Sequence, residues 1–403
     1  MGASYERPFE GIRVADLSQG LAGPGCGLLL AAHGADVVKV EPPEGDWART
    51  LGTRHGEHAA LDMAVNRGKR SIALDLKSPE GRKVALSLIA RADVVIESFR
   101  PGVAARLGLD YESVRACNPR ALHVSISGFG QTGPYAARAA TDTVGQAHSG
   151  IMSVNRDADG RPVKVGFVLV DTVTALFAFQ AVATSLYARA DRGRLIEVSL
   201  MQSAAALIAP KIVERHLEGE SPRALNAPSG CYRTGDGWIA VTLIRESQYR
   251  ALCQALGRPD LAGDARFADP ALRADAAAVL VPIVEGIIAT RTTADWLDRL
   301  AAAGVMCSRV NDIGDWLEDA HVQAVDAAPL LPQEPVGAVP LARIPGLPHA
   351  ALANLAPEAP AIGAHGAEIL ADLGYSPAEI ARLIAGGAVR VPARSGARAA
   401  REA

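Results

Sequence analysis

Cysteine is scarce in this chain and nowhere paired. The five thiols at Cys26, Cys117, Cys231, Cys253 and Cys307 share no C-x-x-C spacing and their number is odd. That pattern excludes a disulfide framework or a zinc cluster as the organising feature, and the thiols are expected to be buried. The nine histidines are equally scattered, with no H-E-x-x-H pair on one helical face, so no metal is expected. An excess of either charge is missing too: 41 Lys and Arg face 44 Asp and Glu, for a net charge of −3. The basic residues form no block, which argues against nucleic acid as a partner. Apolar runs such as 271–284 are cut by charge short of a bilayer span, and no apolar leader follows Met1. A cytoplasmic protein with no membrane partner is the expectation. The glycine clusters are read as strand-end turns, none of them with the G-x-G-x-x-G spacing of a dinucleotide fingerprint, so neither NAD nor FAD is expected.

With 403 residues, 49% of them apolar, the chain can bury two cores. Its first part alternates strand and helix: strands at 12–17, 37–40, 71–76, 94–97 and 122–126, with helices at 26–33 and from Ser78 to Ala92. Ser78 and Pro79 supply a cap and a first helical residue. That order predicts an α/β fold, a large Rossmann-like lobe with a parallel sheet. From about Ala224 to Val322 a hairpin-like stretch, 230–241, precedes helices at 247–256 and 293–303, which predicts a small α+β lobe. The expected divisions are 1–210 for the large lobe, 224–322 for the small lobe, 323–385 for a Pro-rich connector and helical return, and 386–403 for a flexible tail.

Asp171 is the residue with the least obvious structural excuse. It is the sole charge between Val165 and Ala178, at the point where a strand-like run ends and a helix begins. An unpaired carboxylate there costs several kcal/mol, roughly, unless it caps the helix or has chemical work.

Several stretches taken together resemble the class III coenzyme A transferases, the family of formyl-CoA and carnitine CoA transferases that also contains α-methylacyl-CoA racemase. They include Gly11-Ile12-Arg13-Val14 with Ala22-Gly23-Pro24, Val38 through Asp46, Asn66 through Lys77, Asp93 through Gly102, Gly128 through Tyr135, and Pro162 through Asp171 to Leu200. The resemblance implies a large lobe assembled from N- and C-terminal parts and an interlocked homodimer. It implies an acyl-CoA donor, a small carboxylic acid acceptor, and coenzyme A as substrate. It makes Asp171 the catalytic nucleophile, passing through mixed-anhydride and aspartyl-CoA thioester intermediates. It places CoA contacts at Leu21 and Ala22, at Leu74, Asp75, Leu76 and Lys77, at Ser98, Phe99 and Arg100, at Arg106, and at Arg138, Ala139, Ala140 and Thr141. Arginines and lysine suit phosphates there, and Phe99 and Leu74 suit an adenine face. Turns near Gly128 and Gly230 are candidate oxyanion donors, and Arg233, Arg245 and Arg309 candidate clamps for a dicarboxylate. Three departures matter: Pro42 stands where formyl-CoA transferase has a basic residue, its mobile glycine run has no counterpart around 226–230, and Thr141 replaces the racemase histidine. The alternatives are an epimerase of the same family, which lacks that imidazole here, and a CoA-binding relative without activity.

Overall fold

The computed structural model describes residues 7–157, 159–188, 192–219 and 226–392. The chain divides into two compact units, one made of Met1–Ala209 with Ala327–Ala403 and the other of Pro210–Asp326.

The first unit is built on a seven-stranded sheet: β1 (Arg13–Asp16), β2 (Asp36–Glu41), β3 (Arg70–Leu74), β4 (Val94–Glu97), β5 (Leu122–Ser127), β6 (Arg194–Ser199) and β7 (Val389–Arg390). The spatial order is β7-β3-β2-β1-β4-β5-β6. All pairings are parallel except that of β7 with β3. Strands such as Val94-Val95-Ile96 are apolar on both sides because both faces are covered, as a parallel sheet requires. On one face α1 (Ala22–Ala32) and a long helix further on share a core that includes Leu30, Val94, Val124, Val170 and Val182. On the other, α2 (Pro79–Ile89) and the helices Gly366–Asp372 and Pro377–Ala385 pack around Ile72, Val84, Ile89, Leu370 and Leu383. Ser78 caps α2 by accepting the Gly81 N–H, with Pro79 next in line.

Strands run 3-2-1-4-5-6, so successive connections leave β1 in opposite directions on its two sides. The loops after β1 and β4 diverge there and leave a crevice at the carboxyl end of the sheet, where open α/β sheets bind ligands.

The second unit has a three-stranded antiparallel sheet, Gly230–Arg233, Trp238–Thr242 and Met306–Arg309. Helices Glu246–Ala255, Ala277–Ile288 and Thr293–Ala302 cover it around Tyr249, Leu280 and Trp296. It starts ahead of the expected Ala224 because it takes in nearly all of the helix Ala209–Glu218.

Several expectations need correction. Among the described residues no strand runs into Asp171: α3 (Asp142–His148) is followed by the short helix Ile151–Val154, then irregular chain and then α4 (Leu169–Tyr187), an apolar run that periodicity alone cannot assign to strand or helix. By length and composition α4 could cross a bilayer, which the expectation of short apolar runs overlooked, but its Val170, Ala178 and Val182 belong to the core. Residues 389–390, expected in a flexible tail, are the edge strand β7, held because Asp75 N–H bonds the Ala388 carbonyl and Val389 is buried. Residues 393–403 of that tail lie outside the described residues. The connector forms a hairpin, Leu330–Gln333 with Gly337–Pro340. Cys117 and Cys231 are exposed and not buried. Finally, Gly128-Phe129-Gly130-Gln131-Thr132-Gly133 does have the G-x-G-x-x-G spacing. It follows β5 but opens no helix, since the next one starts at Asp142, so the context that gives a dinucleotide fingerprint its meaning is lacking.

Candidate active site

Asp171 is the third residue of α4, and so not its cap. The preceding Val168 offers no capping side chain. The capping is done from outside by Asp142, buried at the start of α3. Its Oδ1 accepts the N–H of Val170 at 2.6 Å and of Asp171 at 3.2 Å, while Oδ2 takes the Gln146 side-chain amide at 2.6 Å. Gln146, fully buried, accepts the Val165 N–H at 2.8 Å and so pins the approach to α4.

The Asp171 side chain is therefore free of the structural duty that sequence allowed it. Among the described residues no group donates a hydrogen bond to its carboxylate. Burial, and then the Asp142 charge, push its pKa up to about 7. A half-dry carboxylate without donors beside a second carboxylate is a costly arrangement, of the kind that marks reactive groups.

Around it lies a cleft of about 450 Å³ formed by the loops at the carboxyl ends of the strands. From the β1 loop come Gln19, Leu21 and Ala22; from the β4 loop Ser98, Phe99 and Arg100; from the β5 end Ile126, Ser127 and Gly128; from the approach to α3, Arg138, Ala139, Ala140 and Thr141; and Leu200 follows β6. The loops are cross-tied. Gln19 N–H bonds Ser98 Oγ at 2.9 Å, and Phe99 N–H bonds Glu97 Oε2 at 2.7 Å. Burial raises the Glu97 pKa, opposed by its bonds to Ser125 and Phe99. Gly128 makes room for Ala140, whose Cβ would lie 2.3 Å from a Cβ at position 128. The Arg138 guanidinium lies 3.6 Å from the centre of the Tyr135 ring, which is braced edge-on by Phe129 and His148.

Beneath the β1 loop runs a buried chain of charges. Lys69 donates to Asp16 at 2.9 Å, to the Pro24 carbonyl at 2.7 Å and to Asn66 at 2.9 Å. Lys39 donates to Asp46 at 2.8 Å and to the Ser18 carbonyl. Burial alone would raise the Asp16 pKa, yet Lys69 and Lys39 hold it below the usual carboxylate value.

Ten of the fifteen expected site residues thus share one cleft: Leu21, Ala22, Ser98, Phe99, Arg100, Arg138, Ala139, Ala140, Thr141 and Asp171. Five do not line it. Leu74 is wholly buried in the sheet core, which rules out the adenine contact expected of its side chain. Asp75, Leu76 and Lys77 form the turn into α2, with Asp75 bonding the Lys77 N–H, and Arg106 is exposed on the short helix Val103–Leu107. Arg233, Arg245 and Arg309 lie in the second unit, where Arg309 pairs with Asp315. Sequence reasoning missed Gln19, Trp47, Ile126, Ser127 and Leu200 as lining residues and Asp142 as the group behind Asp171. An aspartate directly after the expected contact Thr141 was the only signal for the last.

Residues 9–366 match the family model described as CoA-transferase family III. A succinate–glutarate CoA-transferase of Agrobacterium fabrum is 35% identical over 382 residues, 91% of this chain and 96% of the relative. A succinyl-CoA–D-citramalate CoA-transferase of Chloroflexus aurantiacus is 34% identical over 382 residues, 91% and 94% of the two chains. The crystal structure of a CAIB/BAIF family protein from Brucella suis superposes with a TM-score of 0.80 at 35% identity, covering 91% of this chain and 99% of that one.

Proposed function

Since the chain belongs to family III of the CoA-transferases and is an enzyme of that class, we propose that it passes coenzyme A from an acyl-CoA thioester to a carboxylic acid through covalent intermediates on Asp171. The observation that carries this reading is the Asp171 carboxylate itself, half-dry, without donors and with its pKa at about 7, in a cleft lined by cations at Arg100 and Arg138.

An Asp171 oxygen attacks the thioester carbonyl carbon; the carbon–sulfur bond breaks and CoA leaves as thiolate, giving a mixed anhydride. The thiolate then attacks the Asp171 carbonyl carbon, releasing the donor acid as carboxylate and leaving CoA on Asp171. The acceptor carboxylate attacks that thioester and expels CoA thiolate again. The thiolate attacks the acceptor carbonyl, forming the new acyl-CoA and restoring the Asp171 carboxylate. No net proton or electron is needed. Weak solvation keeps the nucleophile reactive, because water has less to surrender as the bond forms.

Each addition places negative charge on oxygen, which needs backbone donors already aimed. The first turn of α1 opens at the cleft with no capping side chain at Leu21, so its N–H groups serve, together with those near Gly128. Arg100 and Arg138 meet the CoA phosphates. Relatives named for succinate, glutarate and citramalate favour a small dicarboxylic acid as acceptor. The exposed apolar side chains of α4, Leu176 and Tyr187, favour burial against a second copy of the chain.

The test is trapping. Incubation with an acyl-CoA followed by hydroxylamine or borohydride should mark Asp171 in the wild type, with Asp171→Asn neither marked nor competent in exchange while still binding CoA. Exchange that survives in Asp171→Asn refutes the mechanism.

A further inference from the structure

The cleft has an aromatic wall that the transfer chemistry leaves unused. Trp47 lines it with 48% of its surface exposed, and the ring is backed closely on one side. It lies across Gly20, where a Cβ would come within 2.3 Å of the ring, and the Gly20 φ of +84° is itself one that side chains rarely adopt. One carboxylate ties the two segments: Asp46 accepts the N–H of Gly20 at 3.0 Å and that of Ala48 at 2.9 Å, with Lys39 neutralising it at 2.8 Å. Both charges are fully buried. The ring is thus fastened to the loop that opens α1. That helix runs so close to α4 that a Cβ on Gly25 would lie 2.9 Å from Ala175, one turn beyond Asp171.

The lining carries both kinds of surface. Arg100 and Arg138 supply charge, with Phe99, Pro101 and Val103 beside Arg100 in the chain, while Trp47, Leu21, Ile126 and Leu200 supply apolar surface from segments that bring no cation to the cleft. A CoA ester carries both as well, with phosphates at one end and the acyl group at the other. We propose that Trp47 is the specificity wall for the acyl group, its ring closing the apolar end of the cleft against longer chains. This rests on the reading of the Asp171 cleft as the CoA-ester site.

The experiment measures binding and needs no turnover. Dissociation constants for CoA and for acetyl-, butanoyl-, hexanoyl- and octanoyl-CoA are taken by calorimetry on Asp171→Asn, alone and combined with Trp47→Ala or Trp47→Phe. One methylene in a fitted pocket is worth roughly tenfold or more. Trp47→Ala should therefore raise octanoyl-CoA affinity relative to acetyl-CoA by about tenfold or more, with Trp47→Phe between, while free CoA changes less than about twofold. An unchanged chain-length ratio overturns the proposal, as does an equal loss for CoA and its esters, which would make the ring part of the CoA site. Failure of Asp171→Asn to bind CoA at all sinks the cleft reading itself. Exchange persisting in Asp171→Asn beside the expected chain-length shift refutes the covalent chemistry and leaves Trp47 standing.

Discussion

Asp171→Asn should make the protein more stable, and should do so only toward higher pH. The Asp171 carboxyl titrates at about 7 in place of 3.8, through burial first and Asp142 second. About three units at about 1.4 kcal/mol each cap the cost of its charge at about 4 kcal/mol. Water reaches part of the side chain and screens it, so about 2 kcal/mol is the expected size. The folded state binds this proton more tightly than the unfolded state does. Stability therefore falls as pH rises from about 4 through about 7 and is level above that. Asparagine keeps the shape without the charge. Its gain is small near pH 4 and full near pH 8, roughly 2–4 °C in melting temperature for a unit of this size. Calorimetric melting of both proteins at the two pH values decides it. An equal gain at both, or a loss at pH 8, refutes the claim that a strained charge sits at position 171. The direction is that of a site whose reactivity is held at the expense of stability.

Two further variants separate the groups behind Asp171. Asp142→Asn keeps an oxygen for the Val170 and Asp171 N–H groups but removes the charge; since burial is the larger cause of the shift, the acid limb of the rate profile should move down from about pH 7 by about one unit. A pH–rate profile that does not move would deny Asp142 any hold on Asp171. Lys39→Met leaves Asp46 buried without a partner and should cost about 3–5 kcal/mol in urea unfolding, with a raised KM for acyl-CoA as the β1 loop loosens. An unchanged unfolding midpoint would show that the pair does not hold the loop.

How much of this the sequence discloses depends on whether a residue acts locally. Strands such as Val94–Glu97 and the cap at Ser78 rest on neighbours along the chain, and both are readable there. Leu74 was misread because parallel strands are apolar on both faces, so alternation does not say which side chains reach a ligand. Asp171 was legible as an anomaly, but not why it is one. The capping that an aspartate there would ordinarily perform is done by Asp142, 29 residues earlier, and only the packing of α3 on α4 brings the two together. Trp47 gave no signal either, since its place in the cleft depends on β2 lying beside β1.

The buried charges under the β1 loop follow the same logic. An apolar replacement for a buried ion pair is often no less stable, so stability alone does not explain Lys39, Asp46, Asp16 and Lys69. What an apolar residue cannot do is accept hydrogen bonds. Asp46 takes N–H groups from Gly20 and Ala48, while Lys69 holds the Pro24 carbonyl in the first turn of α1. Two loops from different strands and the start of a helix are thereby fixed relative to one another, and a cleft that positions a carboxylate for reaction needs that fixity more than it needs the stability. Each cation is there because the carboxylate it neutralises could not otherwise be buried, and each carboxylate is there because a backbone had to be held.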